Sequence, residues 1–399
     1  MTHKEIKDCF DRLRRYCEAE DFRGWDPYDG LNSKVFRALP LVRKSTFCRL
    51  AMIQGMKRCP VNLRRLLLVP KGHNPKGLAL FLQGYCNLYR ACDVAGERGE
   101  IVDKINYLAE LLISLRSEGD YHGACWGYDF GWQSKAFFLP KWTPTVVATS
   151  FAVEALFSAY EITGNKKYYD YAVSTADFVM KDLQRIPSGD GFMFSYSPLD
   201  NRAVYNASLL GSKILALVYN YTHNQELREM AVRTALAVCK KQNADGSFPH
   251  SDQVGQAWRD NFHTAFKLES LAIVQRYCGA SLDGYIDKGY RYWVENYFDK
   301  DSGIARYYDR NMSPGLIDLH CFAESIPAFF KLSKMDEQKQ LVQKEIEWAV
   351  NNMFSPEGYF YFQKNGGKVN KIPYMRWPNA WCFYGLSYWL LYVMIKKII

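Results

Sequence analysis

The chain has 399 residues, 48% of them hydrophobic, which is enough to bury a large core, and its net charge of +9 is modest for that length. Apart from pairs such as Arg64-Arg65 and Lys396-Lys397 the basic residues are scattered, so the concentrated stripe of a nucleic-acid binder is missing and no nucleic-acid partner is expected. Eleven Cys without a CxxC pair, behind an N-terminus that opens a charged amphipathic helix, point to a reducing, cytoplasmic setting.

Two helices begin the chain, near Lys4 to Glu20 and Lys34 to Arg58. An apolar helix from Pro75 to Ala91 and an amphipathic one from Ile101 to Ser117 follow. A unit then recurs five times: a Gly-containing turn, an aromatic residue, a polar loop, and a long helix rich in Ala, Leu and small residues. The units run Trp126 to Tyr160, Gly191 to Tyr219, Gly246 to Tyr277, Gly303 to Phe330 and Gly358 to Tyr392. Their helices are predicted to start near Thr143, Arg202, Asp260, Ile317 and Trp377, a step of roughly 60 residues, as in a repeat architecture. Between them lie amphipathic helices, Lys166 to Gln184, Gln225 to Gln242, Leu282 to Phe298 and Met335 to Met353, with their charges on one face.

Helices that are apolar nearly all round must be buried, and those with one polar face lie outside. Alternating the two gives six inner helices inside an outer ring: an all-α (α/α)6 toroid. It is read as a single domain over 1–399, with residues 1–60 as an N-terminal helical extension that also supplies the sixth outer helix. Gly164 and Gly279 fall where left-handed helix caps are needed. The apolar segment Trp381 to Ile399 holds Gly385, Ser387 and several Tyr, and reads as a buried helix, so no integral membrane segment is expected.

The connections from outer to inner helices hold about 15 to 25 residues, longer than ordinary loops, and would gather at one rim. The aromatic content of 16% is high enough to suggest ring-lined surfaces there, although a core of large side chains would also account for it. Trp126-Gly127-Tyr128-Asp129-Phe130-Gly131-Trp132-Gln133-Ser134-Lys135 mixes ring faces with hydrogen-bonding groups, as sugar recognition requires. The alternative is a loop pinned to the barrel by its aromatics. Trp258-Arg259-Asp260-Asn261-Phe262-His263 places Asp260 and His263 one helical turn apart. His263 would serve as base or acid, unless Asp260 is only a helix cap.

Asn201-Arg202-Ala203-Val204-Tyr205-Asn206, Asp318-Leu319-His320 with Glu324, and Tyr374-Met375-Arg376-Trp377-Pro378-Asn379 are similar mixtures. Arg202, Arg259 and Arg376 sit at three inner-helix starts, where converging positive helix ends would favour an anion; three solvated arginines are the alternative. The candidate catalytic residues are therefore His263, Asp260, Tyr205 and Asp129. Trp126, Tyr128, Trp132, Arg202, Asn206, Trp258, Arg259, His320, Arg376 and Trp377 are the candidate substrate contacts. No metal and no cofactor is expected.

On these residues the sequence resembles the α/α toroid superfamily of terpenoid cyclases, protein prenyltransferases, glycoside hydrolases, polysaccharide lyases and uronyl epimerases. Gln242-Asn243-Ala244-Asp245-Gly246-Ser247-Phe248 resembles the Gln-x-x-x-Gly-Ser-Trp repeat of the cyclase and prenyltransferase group, with Phe for Trp. Trp25-Asp26-Pro27-Tyr28-Asp29-Gly30 and Pro70-Lys71-Gly72-His73-Asn74-Pro75-Lys76 are similar to segments of bacterial capsule or exopolysaccharide biosynthesis proteins. The Asp-x-Asp-Asp and Asp-Asp-x-x-Asp motifs of terpene chemistry are absent. Cys125-Trp126 and His320-Cys321 resemble the zinc ligands of lanthionine cyclases but lack the flanking glycines.

The resemblance implies a carbohydrate-active protein of polysaccharide biosynthesis, working on an acidic oligosaccharide or polysaccharide precursor by epimerisation, elimination or hydrolysis. Hydrolysis would need two carboxyls among Asp129, Asp260, Asp318 and Glu324. A non-catalytic glycan-binding or assembly protein, or a terpenoid cyclase-like or prenyltransferase-like protein, are the other readings.

Overall fold

A computed structural model of the chain describes residues 1–134, 137–309 and 315–398. Helix α1 (His3–Ala19) opens with a capping box in which Thr2 and Glu5 satisfy each other's backbone N–H groups. Two short helical turns, Lys34–Arg37 and Pro40–Lys44, lead to α2 (Thr46–Arg58). The expected Lys34 to Arg58 helix is thus broken. Leu39, held extended before Pro40, ends one piece, and the Ser45 side chain caps α2 by accepting from the Cys48 N–H.

Six helices form the inner ring: α3 (Pro75–Ala91), α5 (Val146–Thr163), α7 (Tyr205–Thr222), α9 (Asn261–Cys278), α11 (Leu319–Lys331) and α13 (Ala380–Ile398). Each packs against the next, and α13 packs against α3 to close the circle. The outer layer is α4 (Ala95–Ser114), α6 (Lys166–Asp177), α8 (Gln225–Cys239), α10 (Asp283–Tyr297) and α12 (Met335–Met353), each against the inner helix before it, with α1 against α13. The architecture is the all-α toroid that the alternation of apolar and amphipathic helices predicts. One described helix, α5, is long and apolar enough to cross a membrane by length and composition, and 72% of it is buried inside the molecule.

The inner helices start where side chains can stop the chain. Asn74, Thr145, Asp260 and Asp318 accept from the first free backbone N–H groups of α3, α5, α9 and α11. Gly164 and Gly279 end α5 and α9 at φ +69° and +68°, the left-handed caps expected of them. Two segments differ from a plain helix: residues 178–182 and 375–379 are single π turns, the second containing Pro378.

The long loops, expected to be irregular, carry short antiparallel pairs: β1 (Trp132–Gln133) with β2 (Phe138–Leu139), β3 (Arg185–Ser188) with β4 (Gly191–Phe194), and β5 (Phe298–Asp299) with β6 (Ile304–Ala305). A three-stranded sheet of β7 (Leu316–Asp318), β8 (Gln363–Asn365) and β9 (Lys368–Asn370) knits two separate loops together. These pairings satisfy backbone groups that a bare loop would leave to water.

Candidate functional site

All six inner helices direct their first turns, and the loops before them, at a cavity of about 430 Å³. Lys76, Val147, Asn206, His263, His320 and Trp377 each come from the start of a different inner segment. Tyr28, Tyr128, Phe130, Trp132 and Trp258 add ring faces to the wall. The converging helix ends bring partial positive charge to this space.

His263 is the best-oriented group. Asp260 caps α9 by accepting the His263 backbone N–H at 2.9 Å, and the same carboxylate binds the ring Nδ1 at 2.7 Å. A carboxylate only accepts, so Nδ1 carries a proton, and in the neutral ring the accepting nitrogen is Nε2. Both readings of Asp260, cap and orienting partner, hold at once. Asp260 itself is fully buried and stands behind the wall.

Two further imidazoles line the cavity. The His250 ring stacks on Trp258 at 4.1 Å, its Nδ1 has no hydrogen-bond partner among the described residues, and burial, then His263 and Lys267, pull its pKa down to about 2. His320 stacks on Phe262 at 4.2 Å and lies 4.2 Å from the Trp381 ring, with neither ring nitrogen hydrogen-bonded among the described residues. Burial, then Lys76 and Arg376, hold its pKa well below the ordinary imidazole value. Both are neutral at physiological pH.

Lys76 forms the floor. Its Nζ lies 4.3 Å from the Phe151 ring, 5.0 Å from Phe266 and 5.1 Å from Trp381. Burial, then Arg376, depress its pKa well below the lysine norm, against the pull of Glu324 and Asp26. Both Glu324 oxygens lack a hydrogen-bond partner among the described residues, and burial, then Glu269, drive that carboxyl well upward in pKa. Deeper still, Lys331 bridges Glu154 at 2.7 Å and Glu269 at 3.1 Å.

Of the residues singled out in the sequence, Tyr128, Trp132, Arg202, Asn206, Trp258, His263, His320, Arg376 and Trp377 line the cavity. The others do not. Trp126 is buried with its Nε1 donating to the Leu112 carbonyl at 2.7 Å, so it pins the loop to α4. Tyr205 is buried beside the wall, its pKa raised to about 12 by burial, then Asp252. Arg259 turns to the outer layer, 3.3 Å from Asp309. Asp129 accepts from Asn74 Nδ2 at 2.6 Å in a small recess behind the wall, where burial, then Asp26, raise its pKa to about 6.

The expected trio of arginines is also corrected. Arg376 reaches the wall but its guanidinium grips Asp26 twice, at 2.6 and 2.8 Å. Arg202 alone of the three lines the cavity with no ion pair among the described residues, its guanidinium 5.6 Å from the Phe137 ring. Lys135 lies outside the described residues.

The four carboxyls considered for hydrolysis stand behind the wall. Asp318, for example, caps α11 and accepts from Trp377 Nε1 at 2.9 Å and Gln363 Nε2 at 2.6 Å. Among the described residues the one carboxylate that lines the cavity is Asp200, which accepts from the Tyr196, Ser197 and Arg202 backbone N–H groups. No described group of three or more His, Cys, Asp or Glu side chains is placed to hold a metal ion.

Solved structures share this fold. A cellobiose 2-epimerase from Bacillus thermoamylovorans superposes with a TM-score of 0.60 at 12% identity, covering 80% of this chain and 89% of that one. A GH76 alpha-mannanase of Bacteroides thetaiotaomicron gives 0.59 at 13% identity, over 81% and 87%. A polysaccharide lyase gives 0.53 at 13%, over 79% and 90%. What they share with this chain is the α/α toroid. No protein-family model matches the sequence, and no curated protein matches it.

Proposed function

We propose that this protein is a carbohydrate-active enzyme that moves a proton on an acidic sugar, by epimerisation or elimination at the carbon beside the carboxylate. One observation carries the reading: His263, oriented by Asp260, opens into a cavity lined by three imidazoles, a lysine and many rings, with a single, already occupied carboxylate. Abstracting such a proton needs a neutral base at the substrate and cations near the carboxylate as negative charge develops. His263 fits the first role, and Arg202 fits the second. Two-carboxylate hydrolysis finds no matching pair. Tyr128, Trp258 and Trp377 offer the ring faces on which a sugar stacks. The carbohydrate-processing names of the structural neighbours agree with a sugar substrate. A setting in polysaccharide biosynthesis rests on the resemblance of the segments around Trp25 and Lys76 to capsule proteins.

The test is incubation of the protein in deuterated water with uronate-containing oligosaccharides. Deuterium at the carbon beside the carboxylate, or a new double bond, in wild type and not in His263→Gln supports the reading. Saturable binding of the sugar with neither product would reduce the cavity to a glycan-binding site, and no binding would remove the sugar altogether.

A further inference from the structure

Between Gly30 and Cys92 the sequence contains twelve Lys or Arg and no Asp or Glu. Arg64 is consumed inside the protein by Asp29, and Lys71 is paired with Glu20. Lys34, Arg37, Arg43, Lys44, Arg58 and Arg65 are exposed, and none has a carboxylate within ion-pair distance among the described residues. The same stretch carries seven of the fourteen large hydrophobic side chains that stand exposed among those residues, all between Val35 and Leu68. Leu41 is 86% exposed, Phe47 78% and Leu66 75%.

These side chains belong to an ordered surface. On α2, Phe47, Ala51, Gly55 and Arg58 follow at turn spacing and face out, while Ile53 and Met56 are buried. Ser33 Oγ donates to the Leu67 carbonyl at 2.6 Å and the Lys34 N–H to the Leu68 carbonyl at 3.3 Å, which binds the Arg65–Leu68 turn to the Lys34–Arg37 helix. The segment also abuts the cavity rim. Arg49 Nε donates to Gln133 Oε1 at 2.7 Å, and Trp132 of the cavity wall packs against Leu31, Phe36 and Ile53.

We propose that residues 34–68 are a docking surface for an anionic lipid bilayer. Leu41, Phe47 and Leu66 enter the headgroup boundary, and the six unpaired cations lie over the lipid phosphates. Interfacial binding adds apolar burial to attraction for a negative surface, and this stretch offers both without one opposing charge. A protein partner fits less well, because it would have to bring matching carboxylates to six cations and an apolar surface to Leu41, Phe47 and Leu66, whereas an anionic bilayer presents phosphates and an apolar boundary together. A second copy would set six cations against six of the same sign. A nucleic acid would use the cations and leave Leu41 and Phe47 in water.

Flotation of the full-length protein with vesicles tests this. Phosphatidylcholine vesicles containing about one-third phosphatidylglycerol should carry the protein upward, pure phosphatidylcholine should not, and added salt should weaken the binding. R43Q/K44Q/R58Q should bind about a hundredfold more weakly, at about fivefold per cation. L41S/F47S should weaken binding by tenfold or more on the same vesicles. Both variants alter exposed side chains, and unchanged thermal melts would exclude a loss of fold. No binding of the wild-type protein to anionic vesicles at low salt would overturn the proposal. So would both variants binding like wild type, or a dimer in sedimentation equilibrium that L41S/F47S abolishes.

Discussion

Asp260 holds His263 at two points, its backbone N–H at 2.9 Å and its ring Nδ1 at 2.7 Å, so one carboxylate both starts α9 and sets which face of the imidazole is bare. Asp260→Asn keeps a capping side chain and loses the charge that selects the tautomer. We expect near wild-type stability with deuterium exchange cut by about 10²-fold or more, of the size a misplaced general base costs. Asp260→Ala should lose about 1 kcal/mol of stability as well. Equal exchange in Asp260→Asn and wild type would show that the dyad does not act in proton transfer.

The Arg376–Asp26 pair is buried and joined by two hydrogen bonds. Asp26→Asn or Arg376→Gln should each destabilise the protein by about 3–5 kcal/mol, because the survivor is a buried charge without its counter-ion. Replacing both with apolar residues should cost much less. Urea unfolding of the two single variants and the double separates this structural role from a substrate-binding one.

Arg202 should act on the ligand and not on the fold. Arg202→Gln is expected to weaken binding of an acidic oligosaccharide by roughly tenfold, the value of one charged hydrogen bond, with the melting temperature unchanged. Calorimetry with the acidic sugar and its neutral counterpart would show the effect; equal losses for both would mean that Arg202 does not read the charge.

His250 has its pKa lowered by burial, to about 2. In the unfolded chain an imidazole titrates near 6.5, so below that pH the unfolded state binds a proton that the folded state refuses. His250 therefore costs the protein stability as pH falls from about 6.5, by about 1.4 kcal/mol per pH unit at the full slope. His250→Gln should flatten that acid limb in urea melts at stepped pH and leave the slope above pH 7 alone. An unchanged limb would place His250 in contact with solvent.

The ring was legible because its period is written twice, in the buried helices and in the amphipathic ones between them. The predicted inner starts at Thr143, Arg202, Asp260, Ile317 and Trp377 precede the observed ones by one to three residues, since capping residues and a π turn stand before the regular helices. Side-chain direction was not legible. Arg259 and Asp260 are neighbours, yet Arg259 leaves for Asp309 while Asp260 turns back to His263. Trp126 and Tyr128 differ in the same way, one sealing the loop and the other facing the cavity.

His250, Tyr196 and Lys76 were not anticipated as lining groups. His250 and Tyr196 sit in loops, where no periodicity says which way a side chain points. Lys76, as a lone cation at the head of the apolar helix Pro75–Ala91, gave a signal: a charge in a helix with no polar face must look along the axis. The acid-free run from Gly30 to Cys92 was also visible. Counting lysines and arginines alone concealed it, because the information lay in the missing carboxylates.

The circle is closed by helices far apart in the chain: Asn87 on α3 donates to Ser387 on α13 at 3.1 Å, across 300 positions. The entropy of joining such distant partners grows only with the logarithm of their separation. Every inner helix then has a neighbour on each side, and the seam between α3 and α13 is one interface among six of a kind. A chain cleaved in the turn after Gly164, between α5 and α6, should therefore keep the same closed ring.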